Sequence, residues 1–351
     1  MTLLLRRGVL AAGAVALMAG CADSPASPSV ADDARAVAQV VDGITASEFT
    51  RMLGVIAADS MRGRGTPSRE VELTALYVAA AFQSAGLTPA GDNGTFVQRF
   101  TLSALASNPT ATAPNVVAVL EGSDPAKRSE YLYVTAHLDH VGVTGGGQNC
   151  AANGADSICN GANDNGSGTV AVMQLARAFG ALPVRPARTL VFAAFSGEER
   201  GLWGSAYLAA HPPKPLAQTV AVVNIDMIGR NASDSVVIVG KTYSTIGAVT
   251  DQVTKAHPEL GMRLVNDPWN GTYFTRSDQY SFAKLGVPSV FFFNGPHTDV
   301  HTARDDVPLV NGDIAARSIK MVFHTVRELA NATSRPVWDA ASKARWAPGV
   351  P

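Results

Sequence analysis

Polar residues that can bind metals follow the apolar runs of this 351-residue sequence or open a predicted helix. Histidine nitrogen and carboxylate oxygen are ligands that suit zinc. Gathered in one pocket without a cation, the carboxylates would repel one another, and a bound metal removes that repulsion. The pattern therefore predicts a metal site formed by His137, Asp164, Glu199, Asp226 and His301.

The number of candidate ligands indicates how many metals the site holds. A catalytic zinc normally takes about three ligands from the protein, so five candidates favour two metals that share a bridging carboxylate. Glu198 and Glu199 are neighbours, and successive side chains diverge where a chain leaves a strand. One of the two glutamates can therefore bind metal while the other faces the substrate as a base.

Each of these residues also has a structural interpretation. Asp164 opens a predicted helix and could cap its N-terminus, and the two glutamates could be solvated loop charges. Asp226 is harder to explain in this way because it lies in an apolar run, where a buried unpaired carboxylate costs several kcal/mol. The combination of all five residues favours the metal site. The other histidines lack such a context and are interpreted as ordinary residues: His140, His211, His257, His297 and His324.

Other kinds of site have weaker support in the sequence. Ser196 lacks the leading glycine of a nucleophile elbow, and the run 145–147 lacks the Lys-Ser/Thr of a phosphate-binding loop. Cys150 and Cys159 lie in a loop rich in Gly and Asn. They could form a disulfide or supply two of the four ligands of a structural zinc, and the disulfide is favoured because no second Cys or His pair accompanies them. A net charge of −1, with 28 Lys and Arg against 29 Asp and Glu, argues against a nucleic-acid partner.

The elements that position the candidate ligands follow from hydrophobic patterning. Apolar runs without alternation are typical of strands covered on both faces, and here they alternate with segments of helical period. The predicted fold class is therefore α/β, with a mixed, mainly parallel central sheet sandwiched by helices. In such sheets ligands bind beyond the carboxyl ends of the strands, where the candidate residues fall. The predicted strands are Val116–Leu120, Tyr131–Ala136, Thr189–Phe195, Val220–Ile228, Val236–Val239 and Pro288–Phe293, and the predicted helices are Ser47–Ala57, Arg69–Ala85, Ser167–Phe179, Leu202–Ala210, Asp278–Leu285 and Asp313–Ala330.

Taken in order, these motifs resemble the co-catalytic dizinc aminopeptidases of metallopeptidase family twenty-eight. The resemblance covers about Ile44 to Leu329 and implies the zinc exopeptidase fold, of phosphorylase/hydrolase-like type, with two Zn²⁺ per chain. Carried over position by position, it assigns one metal to His137 and Asp226, the other to Glu199 and His301, and the bridge to Asp164. The motifs that carry it are Ser60–Thr66, Phe82–Pro89, Ala136–Asp139, Asn160–Gly168, Gly197–Glu199, Asn224–Gly229 and Arg276–Asp278.

Residues around the ligands match the same family pattern. Glu198 matches the general base, and Asp139 matches the partner that orients the first histidine ligand. Asp278, in the Arg-Ser-Asp motif, and Asp305, at a recurrent acidic position, are expected to lie behind the ligands. Their roles do not follow from the sequence.

The sequence departs from this family at three places. The residue before the last ligand is commonly Tyr and is thought to help stabilise the oxyanion, but here it is Val300. The His that often follows the Ser-Asp pair is Gln279. The short path from Phe100 to Asn115 leaves no room for the protease-associated domain that many secreted relatives insert.

The resemblance implies a zinc-dependent exopeptidase that hydrolyses the N-terminal residue from peptides. In this hypothesis a metal-bridged water attacks the scissile carbonyl, and Glu198 takes its proton and returns it to the departing amine. An acidic, closed site would favour peptide substrates with a free, positively charged N-terminus. Two alternatives stay open: a glutaminyl cyclase-like acyltransferase with a single zinc, and a non-catalytic peptide-binding lipoprotein of the envelope.

The two ends of the chain are predicted to differ from its centre. Residues 1–20 resemble a bacterial lipoprotein signal, in which Cys21 would carry the lipid, and a cleaved soluble signal is the alternative. We interpret residues 21–42 as a flexible tether, 43–333 as the zinc peptidase catalytic domain and 334–351 as an unstructured tail. The expected location is the cell envelope after export, facing the periplasm or the exterior, with the membrane contacted only through the lipid.

Overall fold

The computed structural model describes residues 30–105, 107–231 and 233–350. The strands in these ranges are β1 (Thr88–Pro89), β2 (Val97–Thr101), β3 (Thr112–Leu120), β4 (Tyr131–His137), β5 (Thr189–Phe195), β6 (Thr219–Ile225), β7 (Ser235–Val239), β8 (Arg263–Asn266) and β9 (Ser289–Phe293). The α-helices are α1 (Val30–Asp42), α2 (Ala46–Ile56), α3 (Arg69–Ser84), α4 (Gly168–Gly180), α5 (Trp203–Ala210), α6 (Ile246–Ala256), α7 (Gln279–Ala283), α8 (Gly312–Asn331) and α9 (Ala340–Trp346).

All nine strands belong to one mixed sheet. Its order is β1-β3-β5-β4-β6-β9-β7-β8, with β2 also paired to β3. The four central strands, β5, β4, β6 and β9, are parallel, whereas β3 and β7 run antiparallel to their inner neighbours. The predicted mixed, mainly parallel sheet is therefore confirmed. Because the central strands run in one direction, their carboxyl ends meet at one edge of the sheet.

Helices cover both faces of the sheet, as the unalternating apolar strands predicted. In β5, Leu190 and Phe192 face the larger core, to which α1 to α4, α6 and α8 contribute, whereas Val191 and Phe195 face the smaller core beside α5 and α7. The buried stripe of α8 fits between its neighbours, with the Phe323 ring stacked 4.5 Å from the ring of Phe179. Each such buried side chain contributes about 1.5–3 kcal/mol of hydrophobic stabilisation.

The folded domain extends further at both ends than the sequence predicted. The segment interpreted as a tether is helical over residues 30–42, because Val37 and Val41 lie one turn apart and pack into the core. At the other end, the predicted unstructured tail contains α9, which buries Trp346 against Phe274. The predictions of a flexible tether and of an unstructured tail are therefore wrong for these segments. Residues 30–42 and 340–346 belong to the folded unit.

The predicted export signal and Cys21 lie outside the described residues. Within residues 30–350, apart from 106 and 232, none of the helices combines the length and apolar character that crossing a membrane requires.

Candidate metal centre

The topology brings all five predicted ligands together at the carboxyl edge of the sheet. His137 is the last residue of β4, Glu199 follows β5, and Asp226 directly follows β6. Asp164 lies in the turn before α4, and His301 lies in the loop after β9. Their side chains line one cavity of about 430 Å³. The strand ends and the two loops therefore bring the five predicted ligands together.

The five side chains form two groups that share Asp164. In the first group, His137 Nε2 lies 3.5 Å from Asp164 Oδ1 and 3.4 Å from Asp226 Oδ2. In the second, His301 Nε2 lies 3.3 Å from Asp164 Oδ2 and 2.9 Å from Glu199 Oε2. Two ligands about 2.0–2.1 Å from a tetrahedral zinc are themselves about 3.3 Å apart. Each oxygen of Asp164 thus faces one group, as a bridging carboxylate would.

The electrostatics of the centre also fit a metal. Asp226 Oδ1 is buried and has no hydrogen-bond partner within the part of the chain that the structure describes. Burial raises the pKa of Asp226 and, with the charge of Glu199 nearby, raises the pKa of Glu198 well above its usual range. Burial disfavours the charged form of His301, but the carboxylates of Asp164 and Glu199 outweigh it and raise its pKa to about 10. Protons and a bound cation therefore compete for the same side chains of this centre.

A family model described as Peptidase family M28 matches residues 115–326, which is more than half of the chain and includes all five predicted ligands. The chain belongs to peptidase family M28. Aminopeptidase YwaD of Bacillus subtilis (strain 168) is 26% identical to this M28 chain over 235 residues, which make up 64% of this chain and 46% of that protein. The chain thus spans about half the length of the relatives it matches in sequence.

Solved structures share the fold of this M28 protein. The LapA aminopeptidase of Legionella pneumophila matches it with a TM-score of 0.66 and 19% identity, over 86% of this chain and 76% of that chain. Glutaminyl cyclase of Porphyromonas gingivalis matches it with a TM-score of 0.64 and 19% identity, over 81% and 98% of the two chains. The fold alone therefore does not separate peptide hydrolysis from cyclisation.

Asp139 lies beside His137 and also holds the loop of Glu198. His137 Nδ1 lies 3.2 Å from the backbone oxygen of Asp139 and 3.7 Å from its carboxylate, so the carbonyl is the closer partner. The carboxylate instead accepts hydrogen bonds from Thr66 Oγ1 at 2.8 Å and from the backbone N–H groups of Gly197 at 2.7 Å and Glu198 at 3.3 Å. Asp139 therefore anchors the loop that presents the expected base.

The turn around Asp164 is fixed by its neighbours. The Asp164 side chain faces His137 and His301 and does not cap α4, whereas Asn165 Oδ1 accepts a hydrogen bond from Gly168 N, in the first residue of α4, at 2.8 Å. Asp305 Oδ2 accepts from Asp164 N at 2.9 Å. Asp278 is fully buried behind the site, where burial raises its pKa to about 7. The structure thus shows what Asp305 does, which the sequence did not.

Arg64 joins the loops beneath the centre, although the sequence analysis gave it no role. It is fully buried, and burial lowers its pKa to about 10. Its guanidinium donates to the backbone oxygens of Ile56, Leu138, Asn160 and Gly161 at 2.6–3.0 Å. One cation therefore ties the loops after β4 and before α4 to the N-terminal helices.

The loop of His301 is supported by the predicted disulfide. Cys150 and Cys159 are joined, which confirms that prediction. Within the ring they close, Ala151 N donates to His301 O at 2.9 Å. His301 has a φ of 59°, a left-handed conformation that residues other than glycine adopt only where neighbouring structure holds them. The disulfide loop is one of those supports.

His140 also reaches the centre, although it was interpreted as an ordinary residue. Its Nδ1 lies 2.9 Å from Glu199 Oε1, and the residue is fully buried. The signal that could have found it is its position, three residues after His137 in the same turn following β4. The other four histidines left aside are not among the residues that line the cavity.

Besides the predicted ligands, most of the residues that line the cavity are apolar. Met227, Phe291, Phe293 and Val300 line it, so the position that is commonly Tyr in the family supplies no hydroxyl group here. Tyr273 lines it too. The ring of Trp269 packs against Tyr273 with centroids 5.1 Å apart, and Phe274 is buried and is not among the lining residues.

The second departure from the family has a structural role. Gln279 is fully buried, donates from Nε2 to Phe274 O at 2.7 Å and accepts from Asn224 Nδ2 at 3.3 Å. It therefore connects α7 to β6 behind the ligands.

Proposed function

We propose that this M28 protein is a zinc-dependent aminopeptidase with two zinc ions, which hydrolyses the N-terminal residue from peptides. One observation carries the proposal: Asp164 presents one oxygen to His137 and the other to His301. That arrangement divides the ligands into two sets with a shared carboxylate, as a pair of co-catalytic metals requires.

In this proposal His137 and Asp226 hold one zinc, Glu199 and His301 hold the other, and Asp164 contributes to both. When bound, zinc supplies Lewis acidity towards the scissile carbonyl and lowers the pKa of water towards about 7.

Glu198 is the residue of this chain that moves the proton. Its Oε2 lies 4.0 Å from His137 Nε2, at the edge of the first group, and its backbone is fixed by Asp139. Burial raises its pKa, which makes the carboxylate a better proton acceptor than an exposed glutamate. Glu198 takes a proton from the attacking water and delivers it to the departing amine.

The cavity supports action at the N-terminus of a peptide. The cavity is lined by carboxylates, which would pair with the α-amine of a free N-terminus, and by Met227, Tyr273, Phe291 and Phe293, which suit an apolar first side chain. We therefore expect peptides that begin with a large apolar residue to be the best substrates.

The test compares two forms of the same peptide with an N-terminal leucine, one free and one N-acetylated, with and without a chelator. The proposal expects the leucine to be released only from the free form, and only when zinc is present. Cleavage that resists the chelator, or cleavage of both forms, would contradict it. A peptide with N-terminal glutamine is included, and its cyclisation without hydrolysis of the leucine peptide would favour a glutaminyl cyclase instead.

We also propose that the protein is exported and anchored by a lipid on Cys21. The export signal in the sequence motivates this, and the disulfide between Cys150 and Cys159 is consistent with an oxidising compartment. Fractionation of cells that express the full chain or Cys21→Ser tests it. The wild type should sediment with membranes and the variant should not, and equal release of both would contradict the lipid anchor.

A further inference from the structure

The side chain of Glu199 is held by a histidine on each side. His301 Nε2 lies 2.9 Å from Glu199 Oε2, and His140 Nδ1 lies 2.9 Å from Glu199 Oε1. The two imidazole rings meet edge to face, with their centroids 5.4 Å apart. Only His301 belongs to the ligand set of the proposed function, so the purpose of His140 needs a separate explanation.

The backbone around His140 fixes the orientation of its ring. His140 N donates to Arg64 O at 3.4 Å, and the ring packs directly on Gly161. A Cβ at Gly161 would lie only 2.3–2.4 Å from atoms of the ring, so the glycine leaves the space that the ring occupies. A ring held in this way points one nitrogen at Glu199 before any metal binds.

The two nitrogens of His140 indicate which role the ring plays. A histidine that binds metal almost always pairs its other nitrogen with an acceptor, as His137 does with the backbone oxygen of Asp139 at 3.2 Å. His140 Nε2 is buried and has no hydrogen-bond partner among the residues that the structure describes. A neutral ring with its proton on Nδ1 leaves Nε2 without a hydrogen to place and gives Nδ1 a donor for the carboxylate.

The distances also indicate that His140 donates to Glu199 and does not bind metal. His140 Nδ1 is 3.8 Å from Asp164 Oδ2, whereas His301 Nε2 is 3.3 Å from that oxygen. His140 is therefore closest to the Glu199 oxygen that faces away from His301. We propose that His140 is a positioning residue: its Nδ1–H donates to Glu199 Oε1 and so turns Oε2 towards the metal position shared with His301 and Asp164.

This inference rests on the proposed two-zinc centre. It predicts which of the two zinc sites depends on His140. Loss of the donor leaves the Glu199 carboxylate able to rotate, so the zinc held by Glu199 and His301 should bind about 10–100-fold more weakly. The zinc held by His137 and Asp226 should keep its affinity.

The experiment measures zinc binding to wild type, His140→Asn and His140→Phe by competition with a chromogenic chelator. The amide of Asn can place a donor near the Nδ1 position, whereas Phe keeps a ring against Gly161 but has no donor. We expect two tight sites in the wild type and in His140→Asn, and one tight and one weakened site in His140→Phe. Two tight sites in His140→Phe, or equal loss of one site in both variants, would overturn the inference.

X-ray absorption of the zinc-loaded wild type gives a second result that does not depend on how the variants fold. If His140 positions Glu199, the two zinc ions together have two imidazole ligands, whereas three would make His140 a ligand and overturn the inference. A wild type that binds fewer than two zinc ions would instead contradict the proposed function, so the two failures are distinguishable.

Discussion

The carboxylate of Asp305 holds the backbone of Asp164, since Asp305 Oδ2 accepts a hydrogen bond from Asp164 N at 2.9 Å. Its other oxygen accepts from Asn163 N at 3.0 Å. The residue that both ligand groups share is thus fixed by a carboxylate 141 positions further along the chain. Asp305, which is not one of the five predicted ligands, therefore fixes the turn that carries the shared carboxylate.

Replacement of Asp305 should therefore weaken both zinc sites. In Asp305→Asn the amide NH₂ faces one of the two backbone N–H groups, so one hydrogen bond is lost and the turn shifts. We expect zinc affinity to fall by about 10–100-fold at both sites, measured by chelator competition. Asp306→Asn is the matched control, because its side-chain oxygen can still accept from Val307 N. Unchanged zinc affinity in Asp305→Asn would show that the turn holds its shape alone.

Removal of the buried Arg64 guanidinium should lower the stability of the protein. Arg64→Leu leaves the backbone oxygens of Ile56, Leu138, Asn160 and Gly161 without this donor. We expect the free energy of unfolding in urea to fall by about 3 kcal/mol or more, since buried unsatisfied groups cost about 1–3 kcal/mol each. The control is a change at an exposed arginine, Arg62→Leu. A similar small effect in both variants would refute the structural role of Arg64.

The disulfide should stabilise the protein and support binding of the zinc that Glu199 and His301 hold. Replacement of Cys150 and Cys159 by Ser opens the short ring and should lower the free energy of unfolding by about 2–3 kcal/mol. Because Ala151 in that ring donates to His301 O, zinc binding at the His301 group should weaken as well. Wild type treated with a reductant should behave like the double variant. Reduction that leaves stability and zinc affinity unchanged would contradict this.

The metal-free protein should become less stable as the pH rises from 7 to 9. The pKa of His301 is about 10 in the folded state against an ordinary value of 6.5, and the pKa of His137 is also raised, because the Asp226 and Glu198 carboxylates outweigh its burial. At pH values between these two pKa values the folded state binds more protons than the unfolded chain. The stabilisation that protonation of the histidines provides is therefore complete below pH 6.5 and is lost as the pH rises towards 10.

Thermal unfolding of chelator-treated and zinc-loaded protein over this pH range tests the prediction. The midpoint of the metal-free protein should fall by several degrees. Zinc should remove or reverse the trend, because metal binding displaces those protons. A midpoint of the metal-free protein that rises between pH 7 and 9 would mean that these histidines are not protonated in the folded state.

Much of the centre could be predicted because apolar runs define buried strands, and parallel strands end at one edge. His137, Glu199 and Asp226 follow directly from that rule, and all three lie where it places them. The predicted strand Val220–Ile228 was too long, because β6 ends at Ile225, and this end leaves Asp226 at the edge of the sheet.

Other features depend on tertiary contacts that one sequence does not reveal. His140 faces Glu199 only because the turn after β4 meets Gly161. The carboxylate of Asp139 points at the loop of Glu198 although its sequence position suggests His137 as its partner. Helices α1 and α9 are short and are stabilised by packing on the domain, through Val37 and Val41 in α1 and Trp346 in α9.

In the proposed mechanism Glu198 moves the proton, while five other residues hold the metals. The most direct test is Glu198→Gln, which keeps the size of the side chain and removes its basicity. We expect the variant to bind two zinc ions per chain and to lose about 10²–10⁴-fold in kcat on a free N-terminal leucine peptide, with little change in KM. A zinc-loaded variant that hydrolyses this peptide at the wild-type rate would contradict the account.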